Sequence, residues 1–79
     1  MNELLENISR LHTTELGAVR IKKNLGITAE PVQFCKYLIL SGDCIIRRQG
    51  KNFYCEKDGI TVTVNARSFT IITAHKGRL

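Results

Sequence analysis

The sequence has no hydrophobic run that approaches the roughly 18 residues needed to cross a membrane. It also does not open with a basic segment followed by an apolar stretch, which is the pattern of a secretory signal. These two absences argue against a membrane span and against secretion. They predict a cytoplasmic protein with no membrane partner.

Sequence signatures of metal, cofactor and phosphate-loop sites are missing as well. The three cysteines, Cys35, Cys44 and Cys55, are odd in number and never have C-x-x-C spacing, so neither a disulfide framework nor a zinc site is indicated. There is no H-E-x-x-H sequence, and the glycines stand singly, so no Gly-rich loop is available to cradle a phosphate. We therefore expect reduced thiols, no metal ion and no cofactor.

Acidic residues are fewer than basic residues in this sequence. The 79 residues include 12 Lys and Arg against 7 Asp and Glu, which gives a formal net charge of +5. Such a balance favours acidic partners, with nucleic acid first among them. The hydrophobic fraction of 43% and the charged fraction of 24% are those of an ordinary folded protein. The length accommodates one core, so we expect a single domain over residues 1–79.

Helical periodicity fills the N-terminal half of the chain. Thr14 is a good N-cap for a periodic run that Gly26 ends. Thr28 is a candidate cap for a further run, with Pro31 in its tolerant first turn. Before them, apolar residues recur at helical spacing at Leu4, Leu5, Ile8 and Leu11. The pattern predicts helices over residues 3–12, 14–25 and 29–40.

From Cys44 onward apolar and polar residues alternate, which is typical of strands. Hairpin signals at Gly50-Lys51, at Asp58-Gly59 and within residues 65–68 separate four segments. Short connections imply an antiparallel meander. The predicted fold is therefore α+β, with two to three N-terminal helices packed on one face of a four-stranded antiparallel sheet. The predicted strands are residues 44–49, 52–57, 60–65 and 68–75.

The turns also predict how the strands pair, because loop length sets the register. We expect two-residue loops in the first two hairpins and a last turn within residues 65–68. The predicted pairs are Arg47 with Tyr54, Tyr54 with Thr63, Glu56 with Thr61, Thr63 with Thr70, and Val62 with Ile71.

Alternation assigns each strand residue to one of two faces. The core face collects apolar residues, including Cys44 and Cys55, and this burial argues against a reactive thiol. The opposite face collects a polar set with two apolar members, Ile45 and Ile72. The polar set is Arg47, Gln49, Asn52, Tyr54, Glu56, Thr61, Thr63, Asn65, Thr70 and Lys76.

The polar set has two interpretations. Threonine and tyrosine have high strand propensity and pair well across strands, so the set can be a plain exterior. Alternatively, Arg47, Tyr54 and Glu56 together can hold a phosphate, stack on a base and take a proton.

Several phrases of the sequence carry a family resemblance. LHTTELGAVRIKKNLGI, GKNFYCEKDGITVTVN and SFTIITAHK are similar to those of a family of short bacterial proteins defined as a domain of unknown function. The similarity covers nearly the whole chain, and the family implies no activity. The order of helices and meander, with His and Arg on the leading helices and an IIT last strand, also resembles the metal-independent ribonuclease fold of barnase, colicin-type tRNases and RelE-like toxins.

The ribonuclease resemblance implies a base for the ribose 2′-hydroxyl, an acid for the leaving 5′-oxygen and cations for the charged phosphorane. It implies Glu56 or a histidine as the base, and His75 or His12 as the acid. Strict alternation places His75 on the core side, so its pairing with Glu56 requires a bulge near Ala74. For either histidine, the role of an ordinary structural or surface residue is the interpretation that the sequence favours over catalysis. The resemblance implies Arg47, Lys76 or Arg20 as phosphate contacts, and the polar set adds Tyr54 and Thr63 as predicted nucleic-acid contacts.

Two functions follow as hypotheses. The first is a small nucleic-acid-interacting protein, with a toxin-like, metal-independent ribonuclease as its enzymatic form, acting on RNA such as tRNA or mRNA. The second is a non-enzymatic binding module, antitoxin- or inhibitor-like, which docks on a larger protein partner through the polar set or an edge strand.

Overall fold

The computed structural model of the chain describes residues 2–77. Within these residues, three helices and a 3₁₀ turn precede a four-stranded antiparallel sheet, so the predicted α+β fold is confirmed. None of the helices in this range combines the length and apolar character needed to span a membrane. The elements are α1 (Glu3–Glu6), the 3₁₀ turn (Ile8–Arg10), α2 (Glu15–Leu25), α3 (Pro31–Leu40), β1 (Ile45–Gln49), β2 (Asn52–Lys57), β3 (Ile60–Asn65) and β4 (Ile71–Lys76), and the strands are ordered β1-β2-β3-β4.

The first helix is shorter than the predicted span of residues 3–12. α1 ends at Glu6, and a separate 3₁₀ turn covers Ile8–Arg10. Asn7 explains the break, because its side-chain Nδ2 donates to the Glu3 carbonyl oxygen at 2.9 Å and so competes with the backbone of the next helical turn. Leu4 and Leu11 nevertheless belong to the core and Ile8 packs against it, whereas Leu5 is exposed.

The second helix follows its sequence signals closely. Thr14 is the N-cap, and its Oγ1 accepts a hydrogen bond from the Gly17 N–H at 2.9 Å. At the other end Gly26 adopts left-handed backbone with φ 66, which glycine tolerates without strain.

The third helix begins at Pro31 rather than at residue 29. The residue before a proline is pushed toward extended backbone, and Glu30 accordingly has ψ 124. Its carboxylate caps the helix by accepting from the Val32 N–H at 2.7 Å. Glu30, and not the predicted Thr28, is therefore the N-cap.

The first two hairpins have the predicted register. Asp58 and Gly59 have φ values of 52 and 77, as a tight two-residue turn requires, and Gly50 has φ 60 in the preceding turn. The confirmed pairs are Arg47 with Tyr54, Tyr54 with Thr63, and Glu56 with Thr61.

The last hairpin has a longer connection than a turn within residues 65–68. Phe69 adopts φ 61, and its N–H donates to the Asn65 carbonyl oxygen at 2.9 Å. As a result Val64 pairs with Ile71. This displaces the predicted register by two residues, which leaves every side chain on its predicted face.

A β-bulge then displaces the register by one more residue. Val64 pairs with Ile71 but Thr63 pairs with Thr73, so Ile72 is the extra residue on β4. One inserted residue reverses which face the following side chains occupy.

Beyond the bulge, Ala74 lies opposite Val62 on the core side and is fully buried. His75 lies opposite Thr61 and is therefore on the open side of the sheet. Lys76 pairs with Ile60 and is therefore on the core side. The predicted pairs Thr63 with Thr70 and Val62 with Ile71 are therefore wrong, as are the predicted faces of His75 and Lys76.

One face of the sheet packs against the helices, and its apolar side chains form the core. The core consists of Leu4, Leu11, Ile21, Leu25, Cys35, Leu38, Ile39, Phe53, Cys55, Val62, Val64, Phe69, Ile71 and Ala74. The other face points away from the helices, and we name it the open face. Its cross-strand rows are Ile45, Glu56, Thr61 and His75; Arg47, Tyr54, Thr63 and Thr73; and Gln49, Asn52 and Asn65.

The two edges of the sheet differ. The β4 edge is covered by the segment before α2, where His12 forms a parallel bridge with Thr70. Thr13 Oγ1 and Asn24 Nδ2 also donate to outward-facing β4 carbonyl oxygens, at 3.1 and 3.3 Å. In contrast, no element within residues 2–77 pairs with the outer edge of β1.

Candidate functional site

A cross-strand row on the open face brings together two of the predicted catalytic residues. Glu56 pairs with Thr61, and Thr61 pairs with His75. Neighbouring strands are about 4.8 Å apart, so the backbone positions of Glu56 and His75 are separated by about 10 Å. The bulge that this pair requires is present, at Ile72, two residues before the predicted position at Ala74.

An ion pair joins this row to the next one. Arg47 Nη2 donates to Glu56 Oε1 at 3.1 Å across the β1–β2 pair. The Arg47 side chain is 54% exposed and the Glu56 side chain 24% exposed. The guanidinium is thus accessible to a ligand while it orients the carboxylate.

Tyr54 lies next to both charged residues, opposite Arg47 and two positions before Glu56 on β2. It pairs with Arg47 on one side and with Thr63 on the other, and its ring is partly exposed. The Asn52 Nδ2 atom lies 3.4 Å from the Tyr54 hydroxyl oxygen and donates to it. A partly exposed aromatic ring beside an arginine is the arrangement on which a nucleic-acid base stacks.

The threonines of the open face are less accessible than alternation alone predicts. Thr61 is 1% exposed and Thr63 is 4% exposed. Thr61 also donates its hydroxyl hydrogen to the Gly77 carbonyl oxygen at 2.8 Å. A ligand on this face therefore contacts the rim side chains before it contacts either threonine.

His75 is partly buried at the β4 end of its row. Its Nδ1 atom lies 3.1 Å from the Lys76 carbonyl oxygen, which can only accept a hydrogen. The proton on Nδ1 is thereby held by the backbone. The Nε2 atom is the ring nitrogen that a ligand can use.

His12 lies away from the Glu56 row, at the loop end of β4. Its Nδ1 donates to the Arg10 carbonyl oxygen at 2.8 Å, and its Nε2 lies 3.1 Å from Thr70 Oγ1. Thr70 Oγ1 in turn lies 2.7 Å from Ser68 Oγ. These contacts tie the segment before α2 to β4, so His12 has a structural role where it lies.

Two predicted phosphate contacts are also outside the open face. Lys76 is exposed but lies on the core side of the sheet, because the bulge reverses its direction. Arg20 is exposed on α2, in the helical layer. The structure therefore groups Arg47, Tyr54, Glu56 and His75, and it separates them from Lys76, Arg20 and His12.

A second group of basic residues was missed by the sequence analysis. Arg48, Lys51 and Arg67 line a cleft of about 530 Å³ at the end of the sheet that carries the first and last hairpin turns. The signal was available, since an antiparallel meander places alternate turns at the same end. In the sequence alone, Lys51 and Arg67 are turn residues and Arg48 is a strand residue, so along the chain nothing but their shared charge connects them.

The cysteines do not form a nucleophilic site. Burial raises the pKa of the Cys35 and Cys55 thiols to about 12, and burial also raises the pKa of Cys44. Such thiols carry almost no thiolate at neutral pH. Within residues 2–77, no group of three or more His, Cys, Asp and Glu side chains is arranged to hold a metal ion.

Comparison with known proteins identifies one family. The model of the family described as Protein of unknown function (DUF3781) matches residues 5–75. The resemblance to a domain of unknown function is thereby confirmed. Comparisons with curated proteins and with solved structures give no match. They lend no support to the resemblance to the ribonuclease fold.

Proposed function

Because the chain belongs to the DUF3781 family, whose description gives no activity, we propose its function from the open face: a cytoplasmic protein that binds single-stranded RNA and cleaves it without a metal ion. The observation that carries the proposal is the bulge at Ile72, which gives His75 and Glu56 the same face and the same row. The bulge thereby adds an imidazole to the face that already carries a carboxylate, an arginine and an aromatic ring. This combination supports contacts to phosphate and base as well as proton transfer.

RNA binding would use the row of the open face that contains Arg47 and Tyr54. The Arg47 guanidinium can donate to a phosphate oxygen while it retains one hydrogen bond to Glu56. The partly exposed ring of Tyr54 can stack on an unpaired base. A single strand fits these contacts better than a duplex, because the base must be unstacked to reach the ring.

Cleavage would use the row of Glu56 and His75. The Glu56 carboxylate takes the proton of a ribose 2′-hydroxyl, and the 2′-oxygen attacks phosphorus. The bond from phosphorus to the 5′-oxygen breaks, and protonated His75 gives a proton from Nε2 to that oxygen. The products are a 2′,3′-cyclic phosphate and a 5′-hydroxyl end.

The spacing of the two residues suits this reaction. The attacking and leaving oxygens lie on opposite sides of phosphorus, so the base and the acid must also stand apart. A separation of about 10 Å between backbones leaves room for a phosphodiester between the two side chains. Arg47 is close enough to Glu56 to stabilise the phosphorane charge as well.

The experiment that tests the proposal mixes the purified protein with labelled tRNA and with an unstructured RNA at low salt, with and without EDTA. Binding of the unstructured RNA, and cleavage that survives EDTA and leaves cyclic-phosphate ends, would support the proposal. An absence of both binding and cleavage would exclude it.

A second candidate function is protein binding, and one observation favours it. β1 has an unpaired outer edge within the described chain, and Ile45 at its start is 61% exposed. Antiparallel pairing of two copies centred on Arg47 would place like charges opposite each other, which is destabilising. The edge therefore suits an acidic extended segment of a different protein. A protein partner captured at unit stoichiometry from nuclease-treated lysate, and lost on changing Ile46 to Pro, would support this candidate.

A further inference from the structure

The cleft between the first and last hairpin turns is a second candidate binding site. It opens at the end of the sheet and is lined by Glu3, Arg48, Lys51, Asn65, Ala66 and Arg67. Glu3 belongs to α1, so the cleft reaches the helical side of the sheet, and Asn65 is the one lining residue that also belongs to a row of the open face. It takes no part in the proposed RNA cleavage.

Arg48 is one of the residues that line this cleft, and its side chain is held in position. Its Nε donates to the Gly50 carbonyl oxygen at 3.0 Å, and its Nη1 lies 3.5 Å from Glu3 Oε1. Its guanidinium carbon also lies 5.5 Å from the centre of the Phe53 ring. Among residues 2–77, the hydrogen bonds of this guanidinium use Nε and Nη1, so Nη2 is a donor that a ligand can use.

The fold also fixes the loops that carry the other two cations. The Ala66 N–H donates to the Lys51 carbonyl oxygen at 2.8 Å, which joins the two turns directly. Asn65 Oδ1 accepts from the Arg67 and Ser68 N–H groups, both at 2.9 Å, and so holds the last loop in shape. No described residue forms an ion pair with Lys51 or Arg67.

The charges of the cleft are unbalanced. Three cations and one carboxylate line it, for a net charge of +2. The carboxylate of Glu3 is 60% exposed and contacts Arg48 only at 3.5 Å, so an incoming anion can compete with it. A phosphate monoester carries about −1.5 to −2 charges at neutral pH, with three acceptor oxygens, and matches this lining in charge and in hydrogen bonding.

From these contacts we infer that the cleft is a binding site for a phosphate monoester group, held by Arg48, Lys51 and Arg67. The inference goes beyond the proposed function and does not depend on it. The same chemistry occurs in a small phosphorylated compound and at the 5′ end of an RNA, and the test separates the two sources.

The test begins with inorganic phosphate titrated into the folded protein while backbone amide signals are followed by NMR. The amide signals of Lys51, Ala66 and Arg67 should shift together and saturate. Changing Lys51 to Ala or Arg67 to Ala should each weaken binding by roughly tenfold, the loss expected for one charge-assisted hydrogen bond. The matched control is Lys23→Ala, which removes one exposed charge from α2 and should leave binding unchanged.

Two further variants distinguish a built site from general charge. Glu3→Gln removes the competing carboxylate and should strengthen phosphate binding, whereas general attraction to a cationic protein would not single out this position. Arg48→Lys keeps the charge but loses the planar fork, and it should weaken binding. If Arg48→Lys unfolds the protein, the loss of phosphate binding in the Lys51 and Arg67 variants still tests the inference.

The source of the phosphate is tested with one short RNA carrying either a 5′-phosphate or a 5′-hydroxyl. Tighter binding of the phosphorylated form, lost in Arg67→Ala, identifies the RNA end as the ligand. Equal binding of the two RNAs, together with saturable binding of inorganic phosphate, identifies a small phosphorylated compound. The inference is overturned if phosphate leaves the amides of both turns unshifted, or if Lys23→Ala weakens binding as much as Lys51→Ala does.

Discussion

His75 and Glu56 flank Thr61 in one row of the open face, although strict alternation along β4 assigns them to opposite faces. The extra residue Ile72 causes the difference, because it reverses the direction of every later side chain in the strand. β-bulges are often found where a side chain is aimed at an active site. The position of this bulge therefore agrees with the use of the open face that we propose.

The first prediction tests this reversal. Ala74→Leu should destabilise the protein by about 1–3 kcal/mol, because Ala74 is fully buried against Val62 and additional methyl groups overpack the core. His75→Leu, the matched control, should change stability by less than about 1 kcal/mol, since its side chain faces outward. Urea unfolding of the two variants provides the measurement. The reverse order of effects would mean that β4 has no bulge.

The sequence predicts the first three strands well for a physical reason. Asp58, Gly59 and Gly50 adopt positive φ, which short hairpin turns require. Such short turns allow only one pairing register for the strands that they connect. Each pair derived from these turns is present, including Arg47 with Tyr54. The pairing of Arg47, Tyr54 and Glu56 in one site could thus be predicted from sequence.

The last strand could not be predicted in the same way. Phe69 adopts left-handed backbone, which a bulky residue rarely does, and the burial of its ring at 3% exposure compensates the strain. Ile71 and Ile72 are both apolar, so the hydrophobic pattern of this stretch is compatible with a bulged strand and with a regular one. Only tertiary packing distinguishes the bulged strand from the regular one. Packing therefore also determines which face His75 occupies.

The second prediction concerns the close approach of Gly17 to Thr13. A Cβ atom at Gly17 would overlap the Thr13 hydroxyl oxygen, and that hydroxyl donates to the Ile71 carbonyl oxygen at 3.1 Å. Gly17→Ala should therefore destabilise the protein by about 1–2 kcal/mol, although alanine favours a helix by about 1 kcal/mol.

Gly42→Ala is the control for this prediction. No atom lies within 4 Å of a Cβ at Gly42, and its φ is not positive, so stability should stay the same or rise slightly. The double variant Thr13→Ala with Gly17→Ala should be more stable than the sum of the single effects predicts, because it removes the overlap. Stabilisation by Gly17→Ala alone would contradict the prediction.

The third prediction concerns thiol reactivity. Cys44 is partly exposed, whereas Cys35 and Cys55 are fully buried, so a thiol reagent should label Cys44 first in the native protein. The other two should react only as the chain unfolds. Labelling at about pH 8 with mass spectrometry identifies the order. Rapid native labelling of Cys35 or Cys55 would contradict the packing described here.

The same thiols predict a loss of stability at high pH. Burial raises the pKa of Cys35 and Cys55 from 9.0 to about 12, so the folded state disfavours their ionisation. Their contribution is constant below pH 9.0 and is lost as the pH rises toward about 12, because the unfolded thiols ionise first. Cys55→Ala should lower stability at neutral pH and flatten this alkaline fall, as urea midpoints over the range would show.

The last prediction separates binding from cleavage on the open face. Arg47→Ala should reduce the slope of log affinity against log salt by about 0.7, the change for one phosphate contact to a single strand. Tyr54→Ala should weaken RNA binding by about 1–3 kcal/mol through loss of base stacking. Both measurements use an unstructured RNA, and Lys23→Ala is the control that removes one charge far from this face.

Glu56→Gln and His75→Ala should instead preserve RNA binding and reduce cleavage by about 10²–10⁴-fold each, because they remove the base and the acid without removing Arg47 or Tyr54. The double variant should lose little more than either single variant, since the two residues act in one step. Stability should change little in all four open-face variants, because these side chains point away from the core. If they bind and cleave like the parent while Lys22→Ala or Lys23→Ala abolishes activity, the working surface is on α2. The threonine-rich face would then be only a well-paired exterior.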